Sequence, residues 1–126
     1  MGPPNATVLI VDDDETTTEN YARMLRLEGY QVRTALSAEG GLLEAENTRP
    51  DAIILDLRMP TIDGLEFLRR LRALSDQRAT PVAIVTGDYM VDDAVSAQLS
   101  ELGAVVRFKP LWLEDLVTLA DHLVQR

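Results

Sequence analysis

The sequence predicts an α/β fold in which a parallel five-stranded sheet is covered by helices on both faces. Five short, mostly β-branched apolar runs recur along the chain, and stretches with the 3.6-residue period of an amphipathic helix alternate with them. Glycine, proline and Asp-Gly pairs punctuate the joints. Strand and helix alternating in this way require right-handed crossovers, which place helices over both faces of the sheet.

The elements follow in order. Residues 1–6 carry two prolines and a glycine and read as a flexible lead-in, leaving residues 7–126 as the folded domain. The first strand runs over residues 7–11 and is followed by a helix whose apolar side is Tyr21, Met24 and Leu25, closed by Gly29. Residues 31–35 form the second strand, and Pro50 marks the approach to the third, at 52–56. Asp63-Gly64 opens a turn into a helix with Leu65, Leu68 and Leu71 on one side. The fourth strand is placed at 81–86, with a helix carrying Val91, Val95, Leu99 and Leu102 after it and Gly103 at its end. Residues 104–108 form the fifth strand, and the last helix shows Leu113, Leu116, Val117, Ala120, Leu123 and Val124 at helical spacing. All five strands read as buried on both faces.

A chain of 126 residues makes one domain of ordinary size, and 46% apolar with 26% charged residues is a normal globular composition. A formal charge of −9 argues against direct binding to nucleic acid or to an anionic membrane surface. Disulfides and thiolate metal sites are excluded because there is no cysteine, and no apolar run is long enough to cross a bilayer. The opening MGPPNAT lacks the basic and apolar regions of a secretory signal, so a cytoplasmic location is expected.

In parallel α/β sheets, ligands bind beyond the carboxyl ends of the strands, where the strand order reverses. Those ends carry Asp12, Asp13, Asp56, Thr86 and Lys109. Two carboxylates about 4 Å apart repel by roughly 4 kcal/mol at an effective dielectric near 20, so the run of acids after the first strand needs a counter-charge. Oxygen ligands without histidine or cysteine suit a hard cation, Mg²⁺ before Zn²⁺. With a divalent ion between Asp13 and Asp56, a free Asp56 oxygen is placed to attack phosphorus, and Thr86 and Lys109 to neutralise the incoming phosphoryl group.

The segments VLIVDDD, IILDLRMPTIDG, VAIVTG and RFKP, in this order and spacing, resemble the signature of the receiver domain of two-component response regulators, chemotaxis receivers included, from about residue 7 to 125. The resemblance implies a flavodoxin-like (βα)5 three-layer sandwich of strand order 2-1-3-4-5. It implies Asp12 and Asp13 as the acid pair, Asp13 and Asp56 as Mg²⁺ ligands with the backbone carbonyl of Arg58 as a third, and Asp56 as phosphoacceptor. Thr86 and Lys109 would then meet the phosphoryl oxygens, and a cis Lys109-Pro110 bond is expected. A sensor histidine kinase or phosphotransfer protein would be the donor, and the domain would catalyse only its own phosphorylation and dephosphorylation. The aromatic residue that such domains often carry three places before the lysine is replaced here by Val106, with Phe108 the nearest aromatic.

Beyond the five central groups, Arg58 and Asp88 sit at matched positions, two residues past Asp56 and Thr86, and are expected to pair across the pocket mouth. Val106, Phe108 and Trp112 mark a candidate partner face, which could also support a homodimer through the last strand and last two helices. Trp112 could instead pack over Pro110. Asp14 and Glu15 suit the dipole at a helix start, Asp63 and Asp51 suit turns and caps, and His122 falls on a solvated face. The last helix begins with Leu111-Trp112-Leu113 and so lacks a side-chain cap.

Two other functions compete. Asp12, Asp14 and Thr16 match the DxDxT start of haloacid-dehalogenase-like phosphatases, with Asp12 as nucleophile, although Asp56 is then unexplained and Glu114-Asp115 lies on the last helix. A receiver-like adaptor that is never phosphorylated is the other. The output partner is not encoded in these residues, and the chain could be a stand-alone docking protein or a portion of a longer regulator.

Overall fold

The computed structural model describes residues 5–125. Its strands are β1 (Thr7–Val11), β2 (Gln31–Ala35), β3 (Ala52–Leu55), β4 (Val82–Thr86) and β5 (Ala104–Phe108). The helices are α1 (Glu15–Leu27), α2 (Ala38–Thr48), α3 (Gly64–Ala73), α4 (Asp93–Glu101) and α5 (Leu113–Val124), with a 3₁₀ turn at Ser75–Gln77. All pairings are parallel and the order is β2-β1-β3-β4-β5, so the strand order reverses between β1 and β3. β3 stops at Leu55 and β4 starts at Val82, each one residue inside its expected span. Asp56 therefore stands just past the strand.

The side chains of each central strand alternate between two cores. Leu9, Val11, Ile53, Leu55, Val82 and Ile84 face α2, α3 and α4, where Phe67, Leu68, Leu71 and Leu99 meet them. Val8, Ile10, Ala52, Ile54, Ala83 and Val85 face α1 and α5, where Tyr21, Leu25, Leu116, Leu119, Ala120 and Leu123 complete the layer. This is why runs with no polar alternation are strands: both sides of the pleat are covered.

The expectation of burial on both faces fails for β2 and β5. Only Val32 and Ala35 are buried in β2, and only Ala104 in β5. The strand order makes these two the edges of the sheet, where one flank faces water. Leu113 is exposed, and α5 buries Leu119 in its stripe instead. Of the expected flexible lead-in, residues 1–4 lie outside the described residues. Ala6 is buried and its carbonyl accepts from the Gln31 N–H, so the ordered core begins before residue 7.

Helix starts are capped by short acids or serine. Asp14, Ser37, Asp63 and Asp92 accept from the first-turn N–H groups of α1 to α4. α5 has Trp112 at this position and no side-chain cap. α1 and α4 end before Gly29 and Gly103, whose φ angles of 96° and 83° favour glycine. At the end of the sheet away from the acids, Arg72 donates to the carbonyls of Leu102, Gln77 and Thr80, joining α3 to the end of α4 and the 3₁₀ turn.

Phe67 is fully buried against β1 and α2, and a Cβ on Gly41 would come within 2.9 Å of its ring. Phe67→Ala should lower the unfolding free energy by about 3–5 kcal/mol in urea titrations, and a loss under about 1 kcal/mol would contradict this packing.

Candidate functional site

The acidic pocket lies beyond the carboxyl ends of four adjacent strands. β1 leads into Asp12 and Asp13, β3 into Asp56, β4 ends on Thr86, and β5 is followed by Lys109. Asp12 and Asp56 are buried while Asp13 is exposed, and one carboxylate oxygen from each lies within 4.8 Å of the others. The Lys109 ammonium is 2.8 Å from an Asp12 oxygen and 3.6 Å from an Asp56 oxygen. One ammonium against three carboxylates leaves two negative charges unbalanced, a deficit that suits a divalent cation.

Local bonds hold the acids in place. The Asp14 N–H donates to Asp12 Oδ1 at 3.0 Å, and the Thr18 hydroxyl donates to the Asp12 and Asp14 carbonyls at 3.1 and 2.9 Å. The Asp56 N–H donates to the Val11 carbonyl at 2.9 Å, which fixes the two acid-bearing tips against each other. Gly64 makes the next loop fit: its N–H donates to the Leu57 carbonyl, and a Cβ there would lie 2.6 Å from the Asp56 carbonyl oxygen. Only glycine allows α3 to start this close to the Asp56 backbone.

Burial pushes the Asp56 carboxyl up to about 6; the neighbouring Asp12 charge adds to the rise, and Lys109 opposes it. Burial disfavours the charged form of Lys109, but the hydrogen bond and charge of Asp12, with help from Asp56, outweigh it and hold the ammonium above its ordinary value. Tyr21 lies below the pocket. Burial raises its phenol despite a hydrogen bond from the Leu111 backbone and the Lys109 charge.

Thr86 is buried, and its oxygen accepts from the Asp88 N–H at 3.1 Å, leaving the hydroxyl proton available to another acceptor. Lys109 hangs from the same strand tip, its N–H donating to the Thr86 carbonyl at 2.9 Å, and the Lys109-Pro110 peptide is cis. Arg58 and Asp88 form an ion pair at 2.7 Å over the rim. A backbone hydrogen bond from Met90, then one from Arg58, holds the Asp88 carboxyl below its usual range.

The remaining candidates fall at a distance from the acids. Val106 is half-buried, and Phe108 and Trp112 are exposed, the latter at 69%. Asp51 accepts from the Thr7 N–H. His122 is exposed on a groove of about 650 Å³ between β5 and α5, lined also by Val105, Arg107, Leu111 and Leu119. Sequence reasoning missed Thr18 as a support of the acid loop, Gly64 as a spacer, and a stacked pair formed by Tyr89 and Phe108 with ring centroids 5.3 Å apart. The Asp-Gly turn and the aromatic two places after Val106 were the available signals.

Fold and pocket together define an α/β domain of the chemotaxis-receiver type. The chain belongs to the response regulator receiver domain family, whose sequence model it matches over residues 8–121. It is 38% identical over 126 residues to the transcriptional regulatory protein PrrA of Mycobacterium leprae, covering 99% of this chain and 52% of that protein. The chain thus spans about half the length of the curated relatives it matches. Among solved structures, chemotaxis protein CheY4 of Vibrio cholerae superposes with a TM-score of 0.87 at 29% identity, covering 94% of this chain and 98% of that one. A CheY-like receiver domain from Methanospirillum hungatei gives 0.88 at 27% identity, over 96% and 94%. Asp14, the second acid of the phosphatase pattern, is the N-cap of α1, bonded to the Thr16 and Thr17 N–H groups.

Because Asp56 has a raised folded-state value, its stabilising contribution is complete below pH 4 and is lost as pH rises through about 6. In divalent-free buffer, Asp56→Asn should nearly match the wild type in stability near pH 4 and exceed it by about 3 kcal/mol at pH 7, with the difference levelling off above about pH 7. Chemical denaturation at several pH values checks this, and an equal gap at every pH would contradict it.

Proposed function

We propose that the chain is a phosphorelay receiver that takes a phosphoryl group from a histidine kinase or phosphotransfer protein onto Asp56. The supporting observation is the cluster of Asp12, Asp13 and Asp56 with Lys109 reaching two of the three. Asp12, Asp13 and Asp56, with the Arg58 backbone carbonyl, are the groups that would hold Mg²⁺, and an oxygen-only set with two unbalanced negative charges fits it. When bound, Mg²⁺ would neutralise charge on the carboxylates and on the phosphoryl oxygens.

The Asp56 carboxylate forms a P–O bond as the P–N bond of a phosphohistidine breaks, and the electron pair leaves with the imidazole nitrogen, which takes up a proton. The Lys109 ammonium and the Thr86 hydroxyl each donate to an oxygen of the transferred group. Asp56 needs no base because the reactive form is already ionised above pH 6. The Arg58–Asp88 pair covers the rim and slows attack of water on the acyl phosphate. Phosphorylation biases an existing equilibrium that alters the face made by α4, β5 and α5, where Phe108, Trp112 and Leu113 are exposed. That face serves an output partner, an output segment of a longer regulator of the PrrA kind, or a second copy of the chain. A cytoplasmic location accords with this role.

Incubation with Mg²⁺ and a small phosphodonor should add one phosphoryl group by mass spectrometry, absent in Asp56→Asn and without Mg²⁺. No gain in the wild type would favour an unphosphorylated adaptor, and label on Asp12 would favour the phosphatase. Arg58→Asn should shorten the half-life of the phosphorylated form about threefold, by the loss of one charge-assisted contact at an exposed site. An unchanged half-life would remove the shielding role from this pair.

A further inference from the structure

The residue that carries the ammonium is held from outside the pocket by an aromatic side chain. Tyr89, three residues past Thr86, donates its hydroxyl to the Lys109 carbonyl. Its ring stacks on Phe108, with centroids 5.3 Å apart and planes 26° from parallel. The Lys109 N–H is already bonded to the Thr86 carbonyl, so both backbone polar groups of Lys109 are tied to the segment that begins with the phosphoryl-facing threonine. The same segment is braced at Asp88, which accepts from the Met90 N–H and from Arg58 and donates its own N–H to Thr86. Tyr89 is 64% exposed, more than a residue placed only for core packing requires.

We propose that Tyr89 is a positioning residue for Lys109: through the Lys109 carbonyl and the Phe108 ring it sets where the ammonium stands relative to Asp12 and Asp56. The proposal rests on Asp56 as phosphoacceptor. The Lys109 side chain must reach past β4 and β3 to meet Asp12, and its reach starts from a backbone position on the edge strand of the sheet. Neighbours flank a central strand on both sides; β5 has only β4. Tyr89 adds a second hold, through the Lys109 carbonyl and the Phe108 ring, at the end where Lys109 leaves the strand. The contact between the Thr86 loop and the end of β5 thus runs through the Thr86 carbonyl and the Tyr89 hydroxyl and ring.

The test measures the phosphorylation rate constant of the full chain with phosphoramidate at saturating Mg²⁺, in the wild type, Tyr89→Phe, Tyr89→Ala, Lys109→Ala and the Lys109→Ala/Tyr89→Phe double variant. Tyr89→Phe keeps the ring and loses the hydroxyl, and should slow the saturated rate about threefold; Tyr89→Ala loses both and should slow it about tenfold. The donor concentration at half-maximal rate, the Mg²⁺ affinity and the unfolding midpoint of Tyr89→Phe should stay at wild-type values. In the Lys109→Ala background, Tyr89→Phe should have no further effect, because the two act in series. Wild-type rates in both Tyr89 variants, or the same threefold loss with and without Lys109, would overturn the proposal. A wild-type chain that accepts no phosphoryl group would instead overturn the reading on which it rests.

Discussion

The pocket depends on one electrostatic imbalance. Three carboxylates meet at the tips of β1 and β3, and among the described residues Lys109 is the one ammonium that reaches them, at 2.8 Å from Asp12 and 3.6 Å from Asp56. Without it, Asp12 and Asp56 would be two like charges in a dry setting, a costly arrangement at any plausible dielectric. With it, Asp12 has a partner at close range, while burial, and after it the Asp12 charge, raises the Asp56 carboxyl to about 6 against the pull of Lys109. Much of the surrounding architecture serves this imbalance: Thr18 and the Asp14 N–H fix Asp12, Val11 fixes the Asp56 backbone, and Thr86 carries the lysine on its carbonyl.

Most of the fold was legible because the chain marks its elements clearly. An apolar run that ends in an acid, a threonine or a lysine marks a strand pointing at a site, and four such runs placed every central group of the pocket. The strand order could be taken only from family resemblance, since no single run says which neighbour it pairs with. The burial of β2 and β5 was overestimated for the same reason: a β-branched segment such as Ala104–Phe108 reads alike at the centre and the edge of a sheet. Boundaries moved by one residue where a strand's last side chain belongs to the pocket, as with Asp56, or where Pro81 accepts from the Ile53 N–H but has no N–H of its own to donate.

What the sequence could not show are contacts whose partners lie far apart along the chain. The bond between Lys109 and Asp12 spans 97 positions. Gly64 reads as half of an Asp-Gly turn, and its second role, admitting α3 against the Asp56 carbonyl, exists only once the loop has closed. Tyr89 and Phe108 are unremarkable as separate aromatics; the fold stacks them. The Arg58–Asp88 pair was inferable because matched offsets from neighbouring strand ends put opposite charges side by side.

Arg72 gives the molecule a mechanical asymmetry. Its guanidinium staples three carbonyls at the floor of the sheet, including that of Leu102 at the end of α4, while the start of α4 is joined to the acid-bearing rim through a short loop. One end of that helix is therefore held by a guanidinium, and the other by the apolar contacts of Val91 and Val95 with the core. Freeing the last turn of α4 means breaking a hydrogen bond to a charged group, whereas shifting its first turn means only sliding aliphatic side chains, so the helix is anchored unequally along its length.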